Sequence, residues 1–241
     1  MPQISVITVC RNAVQSVETT ILSVLEQKYA NIEYIIIDGN STDGTQAIIA
    51  RYANKLSYYV SEPDEGIYNA MNKALKHATG EWVNFMNAGD TFADNNVLNN
   101  IFGFEEYSEN IKVIGGNTKN QFADRTEIHH AEPASVIPYR LPFSHQASFV
   151  RRQYCIFDEK YRVAADYNLF YNIYYKCGQE AFGIKNIPIA CYDMTDSLTF
   201  RNIRKAQKEY LQIQSRHINW YWIKNIIRYV VGSYVFQYKH Y

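Results

Sequence analysis

The 241-residue sequence is poor in cysteine, has no net charge and contains no long uncharged run. Its four cysteines are scattered without a Cys-x-x-Cys pair, so the sequence predicts neither a zinc site nor a disulfide framework. With 24 basic and 24 acidic residues, the chain has no positive excess for binding nucleic acid. Because no 18-residue stretch is free of charged side chains, we expect no membrane-spanning helix.

Several motifs of common enzyme classes are missing as well. The sequence has no GxGxxG, which disfavours a dinucleotide-dependent oxidoreductase, and no GxxxxGK(S/T), which disfavours a P-loop NTPase. It also lacks the GxSxG of α/β-hydrolases. The N-terminus, MPQISVITV, lacks the basic start and long apolar core of a signal peptide, so we expect a cytoplasmic protein.

What the sequence does contain is typical of a folded protein. Hydrophobic residues make up 47% of the chain and charged residues 20%. In the first hundred residues, short apolar runs alternate with amphipathic stretches, which predicts parallel strands joined by helices and a Rossmann-like α/β fold. The second half is less regular. The predicted strands are Ile4–Cys10, Tyr34–Asp38, Leu56–Val60, Trp82–Met86, Lys112–Gly116, Thr126–His130 and Phe182–Ile189, with a later helix at Ala165–Cys177.

A polar residue ends or follows each of the first four predicted strands, and at three of these strands that residue is an acid. Arg11 follows the first strand, Asp38 ends the second, Asp64 follows the third and Asp90 the fourth. Ligands of open parallel sheets bind at the carboxyl ends of the strands. Carboxylates there suit a nucleoside with a metal-bound diphosphate better than a bare anion. The alternative is that each acid only caps the next helix.

Five segments carry a family resemblance. They are SVITVCRN, EYIIIDGNSTDGT, SEPDEGIYNAMNKALKHATGEWVNFMNAGD, HQASFVRR and RVAADYNL. Together they resemble the family 2 glycosyltransferases, which have the GT-A fold. The resemblance is dense over residues 3–95, patchy over 140–175 and absent after about residue 200.

The resemblance implies inverting transfer of a sugar from a nucleotide-diphosphate donor to an acceptor hydroxyl. It implies that Asp166 is the catalytic base and that Asp90 binds a divalent cation, Mg²⁺ or Mn²⁺. Lys73 is expected to stand in for an arginine that the family often has. By the same resemblance, the donor is expected to contact Thr8, Arg11, Asp38, Asp64, Lys73, Asn87 and Asp90, and the sugar and acceptor to lie over His145 and Gln146.

The sequence departs from the family at two places. Asn87 and Gly89 stand where the metal motif has further acids, so we expect weak metal affinity, supplied mostly by the nucleotide. Ala164 and Ala165 precede Asp166 where many relatives have an adjacent acid. These departures leave a second hypothesis, a non-catalytic module that binds a sugar nucleotide or glycan. A sugar-1-phosphate nucleotidyltransferase is disfavoured because the first loop, RNAVQS, has no glycine.

Other polar residues have simpler interpretations. His129 and His130 would point to opposite faces of a strand, which favours surface residues over metal ligands. Asp193 and Asp196 lie near a polar turn, where acids are typical turn and cap residues. Arg151-Arg152 could bind a diphosphate or could be solvated surface residues.

The end of the chain differs in charge from the rest. Residues 201–241 hold eight basic residues and one acid, a net charge of +7, in an amphipathic helical pattern. This tail either lies on an anionic membrane surface or packs on the catalytic domain or a second subunit, as in a homodimer. One helical face would hold Trp220, Ile223, Ile227, Val230, Val231 and Tyr234.

We therefore expect a GT-A catalytic domain over residues 1–199 and a basic helical tail over 200–241. Residues 1–95 would bind the nucleotide and 96–199 the acceptor. The expected donor is a UDP-hexose or UDP-N-acetylhexosamine, and the expected acceptor is a glycan or lipid-linked glycan of bacterial surface polysaccharide. The expected location is the cytoplasm, either free or peripheral on the inner face of the cell membrane.

Overall fold

The fold is known from a computed structural model that describes residues 1–194, 202–218, 220, 222–227 and 229–230. The strands are β1 Ile4–Cys10, β2 Ile32–Asp38, β3 Tyr58–Ser61, β4 Trp82–Phe85, β5 Thr91–Phe92, β6 Val113–Gln121, β7 Thr126–His129, β8 Ser148–Arg151 and β9 Phe182–Asp193. The helices are α1 Val17–Leu25, α2 Thr45–Ala50, α3 Ile67–Leu75, α4 Val97–Phe102, α5 Ala165–Cys177 and α6 Ile203–Gln214. Residues 222–227 are also helical.

All nine of these strands belong to one sheet in the order β3-β2-β1-β4-β8-β6-β9-β5, with β7 paired to β6. The first four strands are parallel, as the sequence predicts. Beyond β4 the sheet is mixed, because β8 runs antiparallel to both β4 and β6 while β9 runs parallel to β6. Parallel pairing therefore characterises the first half rather than the whole sheet.

The sheet is buried on both faces, which explains the apolar strand sequences. Along β1, Ile4 and Val6 face one apolar cluster while Ile7 and Val9 face the other. Helices α1, α2 and α4 cover the first cluster, and α3, α5 and α6 contribute to the second. This two-sided packing fixes where each strand ends, and so fixes the positions of the loops that follow.

Observed element bounds differ slightly from the predicted ones. The third strand begins at Tyr58 rather than Leu56, because a short 3-10 turn at Ala53–Lys55 precedes it. The predicted strand at Lys112–Gly116 runs on to Gln121, and β9 runs on to Asp193. Helix α5 has the predicted bounds, Ala165–Cys177.

The predicted tail is described in part. Its first helix, α6, packs on α5, where the rings of Tyr210 and Tyr167 stack at 4.1 Å between centroids. No helix among the described residues is long and apolar enough to cross a membrane. The predicted boundary near residue 200 lies outside the described residues, as do Tyr221, Arg228, Val231 and Tyr234.

Candidate active site

A cavity of about 480 Å³ opens at the carboxyl ends of β1 and β4. Ligands of open α/β sheets bind at such an edge. Loops from both halves of the chain reach it. Its walls come from the loop after β1 (Asn12, Ala13, Gln15, Ser16), the start of α3 (Ile67, Tyr68), the loop after β4 (residues 87–90), the segment before β8 (Leu141, Ser144, His145, Gln146), the start of α5 (Val163, Asp166) and the end of β9 (Tyr192, Asp193).

The loop after β4 forms a tight turn from Asn87 to Asp90. The Asp90 N–H donates to the Asn87 carbonyl at 2.9 Å, and the Thr20 hydroxyl donates to the Asp90 carbonyl at 2.8 Å. Gly89 has a φ of 105°, in the left-handed region that favours glycine. The backbone conformation thus gives a physical reason for glycine at a position where the metal motif of the family has an acid.

Asp90 projects into the cavity from this turn and is 5% exposed. Burial raises the pKa of its carboxyl group to about 6, although the hydrogen bond from Gln146 lowers it. The amide nitrogen Nε2 of Gln146 lies 2.9 Å from Asp90 Oδ2. Beside them, Asn87 Oδ1 is buried and has no hydrogen-bond partner. Two oxygen atoms of the type that hard cations bind therefore belong to residues of one turn.

Asp166 lies on the opposite wall, in the first turn of α5, and is 9% exposed. Its Oδ1 accepts a hydrogen bond from the Tyr167 N–H at 2.7 Å. The Tyr68 hydroxyl lies 3.3 Å from the same oxygen and 3.0 Å from the Val163 carbonyl. Burial raises the pKa of Tyr68 well above its usual value, so this hydroxyl stays protonated. Oδ1 is thus held in place, and Oδ2 faces the cavity side.

His145 connects the two walls. Its Nδ1 lies 3.4 Å from Asp166 Oδ2, and its Nε2 lies 3.1 Å from the amide nitrogen of Asn87. Because an amide nitrogen only donates, Nε2 accepts and the ring proton resides on Nδ1, facing the carboxylate. The imidazole therefore lies between Asp166 and the turn that carries Asp90.

Two residues expected to contact the donor are enclosed in the protein instead. Thr8 has no exposed surface, and its hydroxyl donates to the Met86 carbonyl at 2.7 Å. Asp38 also has no exposed surface, and its Oδ2 accepts hydrogen bonds from the Ser41 N–H and the Ser61 hydroxyl. Both side chains make hydrogen bonds within the protein, and their contact with the donor stays a prediction.

Arg11 and Asp64 lie together over the end of β2, outside the cavity wall. A Cβ atom at Gly39 would lie 2.2 Å from Asp64 Oδ2 and 3.3 Å from the Arg11 Cβ, so both side chains approach the same backbone position. Lys73 does not reach the cavity, because its Nζ pairs with Glu62 at 2.7 Å and donates to the Pro63 carbonyl. In this structure Lys73 therefore contacts the loop that carries Asp64, and its role as a donor ligand stays a prediction.

The remaining candidate residues, two histidines and two arginines, do not line the cavity. His129 and His130 are exposed, as expected of surface residues. Arg151 pairs with Glu81 and Arg152 donates to the Gly80 carbonyl, so neither contacts the cavity.

Sequence reasoning gave no ligand role to two cavity residues. It made Asp193 a turn residue, but Asp193 lies in the cavity wall, and Asp196 falls outside the described residues. Tyr68 was missed entirely. Its segment, EGIYNAMN, lies within the region of family resemblance, and that was the available signal.

Comparison with known proteins identifies the fold. TarS of S. aureus, solved in complex with UDP-GlcNAc, aligns with a TM-score of 0.68 at 17% identity, covering 88% of this chain and 66% of that one. A mannosyltransferase from Pyrobaculum calidifontis, solved with GDP-Man and Mn²⁺, aligns with a TM-score of 0.65 at 19% identity, covering 88% and 63%. Both share the fold of this chain, and the expected GT-A architecture is confirmed.

Sequence comparison gives the family. A putative teichuronic acid biosynthesis glycosyltransferase, TuaG of Bacillus subtilis, is 39% identical over 92 residues. That match covers 37% of this chain and 36% of TuaG, so it spans little more than a third of that relative. The family model named glycosyl transferase family 2 matches residues 5–184, about three quarters of the chain. The chain therefore belongs to glycosyl transferase family 2.

Proposed function

We propose that the protein is an inverting glycosyltransferase with Asp166 as its general base. The observation that carries this proposal is that one cavity is lined by the buried carboxylate of Asp166 and by the Asn87–Asp90 turn, whose oxygen atoms suit a divalent cation. Asp166 is held through Oδ1 by Tyr167 and Tyr68, and its Oδ2 faces His145. A positioned carboxylate of this kind is suited to removing a proton from an acceptor hydroxyl.

The proposed reaction is a single displacement. Asp166 takes the acceptor hydroxyl proton as that oxygen forms a bond to the anomeric carbon of the donor sugar. The bond from the anomeric carbon to the diphosphate oxygen breaks in the same step, and the nucleoside diphosphate leaves with the electron pair. Attack from the face opposite the leaving group inverts the anomeric configuration. Burial around Asp166 and Asp90 would exclude competing water.

The residues of the Asn87–Asp90 turn fit a divalent cation. Asp90 supplies a buried carboxylate, and the partnerless Oδ1 of Asn87 supplies a neutral oxygen. When bound, such a cation would neutralise negative charge on the leaving diphosphate. Among the residues that the structure describes, no cluster of three or more acidic, histidine or cysteine side chains could hold a metal ion. We therefore infer that the donor diphosphate supplies much of the coordination.

The donor is proposed to be a UDP-hexose or UDP-N-acetylhexosamine. The TarS complex with UDP-GlcNAc supports a UDP donor, whereas the P. calidifontis complex with GDP-Man shows that the same fold accepts another base. Arg11 and Asp64 are proposed to contact the nucleoside, because they flank the β2 end next to the loop that lines the cavity. The acceptor is proposed to be a glycan or lipid-linked glycan of a surface polysaccharide, because the relative TuaG is a putative glycosyltransferase of teichuronic acid biosynthesis.

One observation favours a second candidate, a non-catalytic module that binds the sugar nucleotide. The Asn87–Asp90 turn carries only one acid, because Asn87 and Gly89 stand where the metal motif of the family has further acids. This candidate predicts donor binding without release of free nucleotide and without metal dependence.

A donor panel separates the two candidates. UDP-, GDP- and dTDP-sugars are tested with and without Mn²⁺, and both the Tm and the free nucleotide are measured. A bound donor raises the Tm by mass action. We expect one donor class to raise the Tm more with Mn²⁺ than without it and to be slowly hydrolysed, while Mn²⁺ alone has little effect.

Two variants test whether the effect of Mn²⁺ on donor binding depends on Asp90. Asp90→Asn should remove the Mn²⁺-dependent part of the donor shift, whereas Asp124→Asn, an exposed acid on another surface, should keep it. Donor binding with no nucleotide release, even when lipid-linked acceptors are present, would favour the binding module. No Tm shift with any donor would contradict both candidates.

A further inference from the structure

Helix α6 is anchored firmly to the catalytic core. The buried carboxylate of Glu209 accepts hydrogen bonds from three consecutive backbone N–H groups, those of residues 162–164, at 2.9–3.0 Å. Gln214 donates to the Tyr167 hydroxyl at 3.0 Å and to the Tyr139 carbonyl at 3.1 Å. Because residues 162–164 immediately precede the turn of α5 that holds Asp166, α6 is held next to the proposed acceptor side of the cavity.

The helical residues after α6 pack on it through one face. The indole N–H of Trp222 donates to the Leu211 carbonyl at 3.2 Å, and the amide of Asn225 donates to Gln214 Oε1 at 3.1 Å. Trp222 and Asn225 are three residues apart, so they lie on the same side of the helix. This inward face leaves the opposite side of the helix directed away from the core.

That outward side is apolar. Trp220 is 72% exposed, Ile223 39%, Ile227 55% and Val230 45%. Their spacing of three, four and three residues places them in one stripe along the helix. Ile218, 67% exposed, lies at its beginning. A contiguous exposed stripe of large apolar side chains marks an interaction surface rather than ordinary solvent-facing surface. We call these five residues the apolar stripe.

The exposed acidic and basic side chains of the described segment that carries the apolar stripe have one sign. Glu209 is the only acid in residues 202–230, and it is buried with its carboxylate occupied by backbone N–H groups. The exposed basic residues on the same part of the chain are Arg204, Lys205, Lys208, Arg216 and Lys224. A second copy of the chain would bring the same positive charge against this surface, which disfavours self-association there.

We infer that the apolar stripe and its basic surround dock on an anionic lipid bilayer. The apolar side chains would enter the boundary between headgroups and acyl chains, with Trp220 at headgroup level. The lysines and arginines would face anionic headgroups. This inference rests on the exposed surface alone and does not depend on the proposed catalytic activity.

The test is binding of the full chain to vesicles. Wild-type protein should sediment with mixed phosphatidylcholine and phosphatidylglycerol vesicles but not with pure phosphatidylcholine vesicles. Binding should weaken in about 1 M salt, where the Debye length falls to about 3 Å. Lys205→Glu together with Lys208→Glu should lower the partition constant at least about tenfold, whereas Lys28→Glu, an exposed lysine elsewhere, should not.

Apolar variants have a matched control. Ile223→Ser together with Ile227→Ser should abolish sedimentation, while Phe104→Ala, which removes an 87% exposed apolar side chain on another surface, should leave it unchanged. Brominated lipids should quench the fluorescence of the wild-type protein and quench Trp220→Phe less, a readout that needs no serine variant to fold.

Three results would overturn the inference. They are equal binding to neutral and anionic vesicles, unchanged vesicle binding in both double variants, and a wild-type dimer in light scattering that Ile223→Ser/Ile227→Ser converts to monomer. The last result would assign the apolar stripe to a second copy of the chain.

Discussion

At the residue scale, His145 is the side chain that joins the two walls of the cavity. Its ring contacts Asn87 through Nε2 and Asp166 through Nδ1. His145 would act through Asp166 rather than on the donor or the acceptor, so we interpret it as a positioning residue for the base. A proton on Nδ1 would attract the carboxylate 3.4 Å away and orient it towards the acceptor.

Replacing His145 by phenylalanine keeps a ring of similar size and removes both polar contacts. We expect kcat to fall about 10- to 100-fold, because a poorly oriented base loses part of the contribution of general base catalysis. The KM for the donor should change little, because the Asp90 N–H and the Thr20 hydroxyl hold the backbone of the Asn87–Asp90 turn, and His145 does not. Steady-state kinetics measures kcat and the donor KM separately and so checks both expectations.

The exposed His130 provides the control, because His130→Phe should leave both constants unchanged. The protonated ring nitrogen of His145 can also be observed directly by ¹⁵N NMR, which should show the proton on Nδ1. An unchanged kcat in His145→Phe, or a proton on Nε2, would contradict the positioning role.

The sequence indicates which residue types gather at the cavity but not which way each one points. Asp90, Asp166, His145 and Gln146 were all selected from motifs, and all four line one cavity. Asp38 also ends a strand, yet its carboxylate turns inward to Ser41 and Ser61. Strand ends can be predicted from apolar runs, whereas the direction of the last side chain depends on local hydrogen bonds that such runs do not encode.

At the scale of elements, Glu33 holds three strands together at the edge opposite the cavity. From the start of β2, its carboxylate accepts hydrogen bonds from Ser5 on β1 at 2.5 Å and from the Thr79 hydroxyl and N–H, before β4, at 2.6 and 2.7 Å. Burial alone would raise the pKa of Glu33, but these hydrogen bonds outweigh it and hold the pKa below its ordinary value.

We expect Glu33→Gln to lower the free energy of unfolding at pH 7 by about 1–3 kcal/mol, the cost of disrupting hydrogen bonds to a buried charged group. Because the folded pKa is lowered, the stabilisation is fully present above the ordinary pKa of about 4.3. It is lost as the pH falls through the lowered value. Urea unfolding at several pH values should therefore show the difference between wild type and variant shrinking in acid.

Glu106→Gln, at an exposed position, should show little difference at any pH. A difference for Glu33→Gln that stays constant down to the lowest pH at which the protein folds would contradict the ionised role of Glu33.

Local patterns predict the first half of the sheet better than the second. Strands β1 to β4 are short apolar runs buried on both faces, and each was predicted to within two residues. Strand β9 extends to Asp193 because its end pairs with β6 beyond an irregularity at Gly116–Thr118. Such long-range pairing leaves no local periodicity, and for that reason Asp193 was assigned to a turn rather than to the cavity.

At the scale of the whole molecule, the cavity lies where the two halves of the chain meet. The first half supplies the Asn87–Asp90 turn, and the second supplies His145 and Asp166. Helix α6 then fastens the loop before α5 through Glu209. A bilayer bound at the apolar stripe would therefore lie on the same part of the molecule as the proposed base, which suits a lipid-linked acceptor.

The central claim is that Asp166 removes the acceptor proton, and Asp166→Asn tests it most directly. With the donor identified by the panel, nucleotide release is measured beside donor affinity for wild type, Asp166→Asn and the exposed control Asp124→Asn. We predict that Asp166→Asn slows release about 10²- to 10⁴-fold, with donor affinity nearly unchanged and the control equal to wild type. Wild-type turnover in Asp166→Asn would contradict the claim.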